Sequence, residues 1–359
     1  MGVFRLKVDT RKAGLVYCAS PPVVTYPSQP SVPISLIRSR RPIASALAFL
    51  LILGCGDSTG PSASATHPAG TIASTLSMTG RPHGVAIASN GRFCVSQIDA
   101  ASITCGMLTA TSATVQSTAM VDLTPAHVAL SADGSLAYTA NQYGSSSSVV
   151  DVSTSTPTVL ATVPLTSQGF NVLADPSGSR VYVTTSSGAL QVMNAGTRTI
   201  IAQVATGPAS NGLALDRAAG ILYVSSITAG TVAAVNTATN AVTKTYSVSA
   251  KPQRIALSAD GKTLYVANES SGLDILDVAT GTRSPVAGVD PGAVGLALAP
   301  DGKVVYLTNP PAGKLQIVDL ATRQVTSLTG LGSPRNVAFG LSGAAALVTG
   351  ESGTVYVIR

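Results

Sequence analysis

The chain has 359 residues but no tryptophan, two glutamates and three histidines, and aromatic residues make up only 4% of it. Each scarcity removes a class of function. Without tryptophan there is no WD40 signature and no indole platform of the kind that stacks on sugars. His67, His83 and His127 are all the imidazoles, and Glu269 and Glu351 are the only glutamates. Acid–base or metal chemistry has little to draw on. No HExxH, CxxCH, GxSxG or P-loop pattern occurs, so no catalytic residue, metal ligand or cofactor is expected, and the chain reads as more binder than enzyme.

Charge is sparse too, at 11% of residues, and the net +6 is misleading. Residues 1–54 hold seven basic residues and one acidic residue, which is the whole excess. From Cys55 onward the chain holds 15 of each sign. A nucleic-acid binder needs a basic stripe on its folded domain, and no basic run exists after residue 54.

What the chain does have is glycine at a nearly constant interval. Gly91, Gly134, Gly178, Gly220, Gly261, Gly302 and Gly343 are 41 to 44 residues apart. The clearest copy, 254–277, reads RIALSADGKTLYVANESSGLDILD. It contains an apolar run, an Asp-Gly turn, a second run carrying Tyr-Val, a polar loop and a third run. Asp bonds the backbone ahead of it and Gly accepts a positive φ, which suits the turn. Residues 128–141, 172–185, 213–226 and 296–309 repeat this text. The copy at 85–97 puts Cys94 where the others have Tyr, and 337–350 lacks the aromatic. A period of 40–45 residues built from short strands marks a β-propeller blade. The expected fold is all-β: a seven-bladed β-propeller with four-stranded antiparallel blades. The last copy ends at its third strand, so the N-terminal segment 71–78, TIASTLSM, is expected to complete that blade and close the ring.

The runs Tyr265-Val266-Ala267-Asn268, Tyr138-Thr139-Ala140-Asn141, Tyr306-Leu307-Thr308-Asn309 and Tyr182-Val183-Thr184-Thr185 resemble the YVTN-repeat β-propeller family, and the resemblance covers 71–359. It implies an extracytoplasmic protein. Related seven-bladed propellers include lactonase-like enzymes and subunits of periplasmic dehydrogenases, which supply the alternative reading for this chain.

The N-terminal segment divides further. Arg38-Ser39-Arg40-Arg41 is a positive n-region and 43–53 is an apolar run of 11 residues, too short to span a bilayer. The run ends at Ile52-Leu53-Gly54-Cys55, which resembles a bacterial lipobox with Cys55 as the lipidated residue. The expected organisation is a misassigned start or an extension over 1–37, a lipoprotein signal peptide over 38–54, Cys55 and a flexible tether over 55–70, and the propeller over 71–359. His67 in the tether is expected to be inert. An envelope location permits a disulfide between Cys94 and Cys105, and two separate buried thiols are the alternative.

In a propeller the first strand of each blade lines the axis. The residues at its start form a rim: His83, His127, Asn171, Asn211, Gln253, Arg254, Arg335 and Asn336 are the candidate ligand residues. Asn141, Asn268 and Asn309 at the ends of second strands could add to it. Arg254 and Arg335 suit a carboxylate or phosphate. The same groups could instead cap loop backbones and hold axial waters. The expected function is a lipid-anchored, non-catalytic binding or scaffolding module on the bacterial cell envelope. Its partner would be an envelope protein or a small anionic ligand, its state a monomer, and its membrane contact the lipid anchor. Gly56 after Cys55 favours the outer membrane or cell surface. A lactonase-like hydrolase or a dehydrogenase subunit is the alternative.

Overall fold

The computed structural model describes residues 66–359. The expected leader, signal peptide, Cys55 and residues 56–65 of the tether lie outside the described residues. The regular structure of the described chain is all strand but for one short 3₁₀ turn at Leu341–Gly343. It forms seven four-stranded antiparallel sheets. Six are contiguous in sequence: 82–120, 125–164, 169–205, 210–247, 252–285 and 295–329. The seventh takes three strands from 334–358 and its outer strand, Ile72–Ser77, from the other end of the chain. Ile72 pairs with Ile358, and Thr71 and Arg359 exchange backbone hydrogen bonds at 3.0 Å. The ring is closed by strand pairing, as expected.

All seven spaced glycines have positive φ, between 66° and 95°. Each ends the turn from the first to the second strand, where a Cβ would be strained. At Asp133 the turn is held from the side chain: Oδ1 accepts from Ser135 N at 3.1 Å and from Ser131 Oγ. Those bonds hold the carboxyl down at about 2.

The repeat text has a packing reason. Seven apolar clusters fill the seven interfaces between neighbouring blades. Tyr138, Tyr182, Tyr223, Tyr265 and Tyr306 are each buried in one of them. In the first blade Cys94 takes the tyrosine position. It is joined to Cys105 on the neighbouring strand by a disulfide, buried where the first blade meets the second.

Two positions beyond the tyrosine, a hydroxyl ties blade to blade. Thr184 Oγ1 accepts from Asn171 N at 3.1 Å and donates to Asn211 O of the next blade at 3.0 Å. Ser225 does the same between Gly212 N and Gln253 O, and Thr308 between Gly295 N and Arg335 O. Thr349 links Asn336 N to His83 O across the ring closure. In the fifth blade this position is Ala267. There the backbones meet directly, Arg254 N donating to Val294 O at 3.3 Å.

The N-terminal approach differs from expectation. Thr66–Gly70 are not free tether but lie against the first-to-second-strand turns of the sixth and seventh blades. Thr66 N donates to Ser342 O at 3.2 Å, and Tyr306 Oη donates to Pro68 O at 2.9 Å. His67 Nδ1 is 2.6 Å from Asp301 Oδ2. Gly343 permits this docking, because a Cβ there would collide with Thr66 O.

Candidate functional site

The first strands of the blades surround a channel along the ring axis. They are Pro82–Ile87, Pro125–Leu130, Gly169–Ala174, Ser210–Asp216, Pro252–Leu257, Gly295–Leu298 and Pro334–Gly340. In six of the seven the pairing register shifts near the start of the strand. Such bulges re-aim side chains out of the pleat. They fall on the candidate rim residues, which therefore point at the axis in two tiers.

The outer tier, or mouth, is His83, Ala126, Phe170, Asn211, Gln253, Val294 and Arg335, one residue per blade, around a cavity of about 170 Å³. The inner tier, or neck, is Gly84, His127, Asn171, Gly212, Arg254, Gly295 and Asn336. His127, Asn171, Arg254 and Asn336 line a second cavity of about 310 Å³, whose wall continues along Ala86, Ala129 and Ala174. Arg254 and Asn336 touch both cavities. Glycine at three neck positions has a steric reason. A Cβ on Gly84 would stand 2.7 Å from His127 Cα, and one on Gly295 would collide with Arg335 O. Arg254 of the fifth blade reaches past the sixth to Asn336 of the seventh.

Arg254 is the unusual group. It is 9% exposed, and its Nε donates to Asn336 Oδ1 at 3.3 Å. Among the described residues, Nη1 is buried without a partner, Nη2 has no hydrogen bond, and no carboxylate lies within 4 Å. Burial, with a smaller push from Arg335, pulls this guanidinium from 12.5 to about 9. A buried cation without a counter-ion is costly, and an incoming anion would relieve that cost. Asn171 turns its Oδ1 to Val172 N at 2.9 Å, and its amide nitrogen donates to nothing among the described residues. His127 Nδ1 is likewise buried and unpartnered. Burial, then Arg254 and His83, hold His127 well below its ordinary 6.5.

The mouth is built differently. His83 Nδ1 lies 2.6 Å from Ala126 O, and His83 Nε2 accepts from Arg335 Nε at 2.9 Å. That pair of bonds fixes a neutral ring protonated at Nδ1. Burial and the adjacent Arg335 hold its pKa well below 6.5, in agreement with the geometry. Asn336 Nδ2 and Thr349 Oγ1 both donate to His83 O, which seats the residue at the ring closure. Asn211 donates to Gln253, and Gln253 donates to Glu269, so these two amides bond within the mouth.

Two functional neighbours were missed in the sequence. None of the rim positions read from the sequence is a carboxylate, yet both glutamates of the chain stand beside the rim. Glu351 Oε1 is 3.8 Å from His83 Nε2 and 4.0 Å from Arg335 Nε. Glu269 accepts from Gln253 and lies 3.9 Å from Lys251 Nζ. Each follows the end of a second strand, and those loops open on the same face as the rim; that placement was the available signal. Outside the mouth, Lys251, Glu269, Pro310, Pro311 and Arg335 border a further pocket of about 480 Å³. Asn141, Asn268 and Asn309 do not add to the rim. They are buried, and their amides bond Ser146 and Ser148, Val266 O and Pro291 O respectively. Among the described residues, no group of three or more His, Cys, Asp or Glu is gathered to hold a metal.

Comparison with known proteins supports the architecture and stops there. No family model matches the chain. It is 32% identical over 146 residues, 39% of its length, to the uncharacterised protein YncE of Salmonella typhimurium, and equally to that of Salmonella typhi. The match spans 40% of each relative. Among solved structures, Kuenenia stuttgartiensis hydrazine synthase superposes with a TM-score of 0.70 at 18% identity. That superposition covers 82% of this chain and 99% of the other. At that identity the likeness is one of fold.

Proposed function

We propose that the protein is a cell-envelope propeller, anchored by lipid at Cys55, that binds a small anionic ligand at the axial site without transforming it. One observation carries the ligand class. Arg254 is a buried guanidinium with both terminal nitrogens unpartnered among the described residues and no carboxylate beside it. The groups around it are donors or neutral: the Asn171 amide, the Asn336 amide and His127. A binding role fits better than hydrolysis, because His83, the axial histidine that stands beside a carboxylate, has both ring nitrogens engaged. The envelope location rests on the lipobox-like Leu53-Gly54-Cys55 and the apolar run before it.

Titration calorimetry of the full chain against small carboxylates and phosphate tests the ligand class. Binding that disappears in Arg254→Gln supports it, and affinity retained in that variant refutes it. Metabolic labelling with a fatty acid tests the anchor, which fails if Cys55→Ala is labelled as strongly as the wild type.

A further inference from the structure

We propose that the axial site takes a small dianion, a dicarboxylate or a phosphate group, gripped between two guanidinium forks: Arg254 in the neck and Arg335 in the mouth. The proposal rests on the reading of Arg254 as an anion site and adds the charge and placement of the ligand.

The two arginines are mounted in the same way. Arg254 Nε donates to Asn336 Oδ1 at 3.3 Å, and Arg335 Nε donates to His83 Nε2 at 2.9 Å. Both acceptors are neutral, so neither bond cancels the charge. With Nε taken, each guanidinium keeps its Nη pair, the edge that meets an oxyanion end-on with two parallel bonds. Among the described residues neither Nη pair makes a hydrogen bond. Both arginines line the same 170 Å³ mouth, so one small ligand can reach both.

The nearby carboxylates leave the forks open. Glu351 is 4.0 Å from Arg335 on its Nε side and is tied to Ser333 Oγ at 3.3 Å. Glu269 is held by Gln253 and Lys251. The histidines add no charge: His83 is fixed as a neutral acceptor, and burial keeps His127 neutral. Glu351 offsets part of the charge on Arg335, but two open Nη edges face one cavity, and that pairing sets the ligand's anionic ends at two. Arg335 also raises the cost of the charge on Arg254. A monoanion occupies one fork and leaves the other unpaired, whereas a dianion occupies both.

The test is calorimetry of the full chain at constant ionic strength with three probes: succinate, butyrate and inorganic phosphate. Succinate or phosphate is expected to bind about ten-fold or more tightly than butyrate, the difference of one charged pair. Arg335→Gln is expected to bring that dianion down to the butyrate affinity while leaving butyrate unchanged. A preference for succinate assigns a carboxylate to each fork, and a preference for phosphate assigns both forks to one centre; either supports the proposal. Equal affinity for butyrate and both dianions overturns it and leaves the anion site standing. Arg335→Gln weakening all probes equally overturns it as well. No binding of any probe overturns both the dianion and the anion reading. Circular dichroism of the variant guards against misfolding, and Arg335→Lys, which keeps the charge but loses the fork, is expected to fall between the two.

Discussion

Replacing Arg254 with methionine is expected to make the protein more stable while removing its ligand. The pull from 12.5 to about 9 is a free-energy statement. At about 1.4 kcal/mol per pH unit it amounts to about 5 kcal/mol of excess cost for keeping the charged form inside the fold. That figure is an upper bound on the gain. Methionine keeps a long stem but leaves Asn336 Oδ1 without its donor, which costs about 1–3 kcal/mol. The net expectation is a gain of about 1–3 kcal/mol, in the range found when buried charges give way to apolar side chains. Urea unfolding at pH 7 measures it. The pH dependence gives a second signature. The folded pKa of Arg254 lies below its unfolded value, so the cost is fully present below about pH 9 and is relieved as pH rises above it. Tyr223 and Tyr306, raised to about 12 by burial, work in the opposite direction once pH passes 10. The useful window is therefore pH 9–10, where the gap between variant and wild type should narrow. A methionine variant no more stable than wild type, with the same slope in that window, would mean that the fold already compensates the charge, and the case for an anion site would fall with it.

Acid titration probes the two axial histidines. Both have folded pKa values below the ordinary 6.5, so the stability linked to them is present above pH 6.5 and lost as pH falls below it. Unfolding free energy is expected to drop between pH 6.5 and 5, with a shallower drop in His127→Gln; identical slopes would refute the assignment of His127. The interblade hydroxyls are expected to be costly to remove. Thr349→Val leaves His83 O and Asn336 N short of a partner at the ring closure. A loss of about 1–3 kcal/mol should follow in the same urea assay, and a loss below about 0.5 kcal/mol would show that solvent replaces the clip.

The fold was legible because it repeats. A glycine with positive φ at every turn and a tyrosine at five of seven interfaces are local requirements, so each blade writes them again. Even the departures follow the pattern, the Cys94–Cys105 bridge occupying a tyrosine position. The axial residues were legible as positions, because the start of each first strand can be counted from the period. Their partnerships were not. Arg335 meets His83 across 252 residues of chain, and Arg254 reaches Asn336 across a whole blade. A period says where each strand falls, but not which side chains lean across the axis. The same limit hid Glu269 and Glu351, which sit in loops that vary from blade to blade. It also hid the docking of Thr66–Gly70, whose contacts at Asp301, Tyr306 and Ser342 are 234 or more residues away.

The pairing of Ile72–Ser77 with the final strand also sets an order of events in time. Ile72–Ser77 precedes every other strand of the ring in sequence, and its partner Thr354–Ile358 follows them all. Six blades are contiguous in the chain and can assemble as they emerge, but the seventh needs Ile72–Ser77 together with 334–358. Until then Ile72–Ser77 has no partner strand, and the open ring carries an unprotected sheet edge. Maturation therefore ends in a single long-range search, and the axial site shares its fate, because His83 and Arg335 meet only across the closing seam.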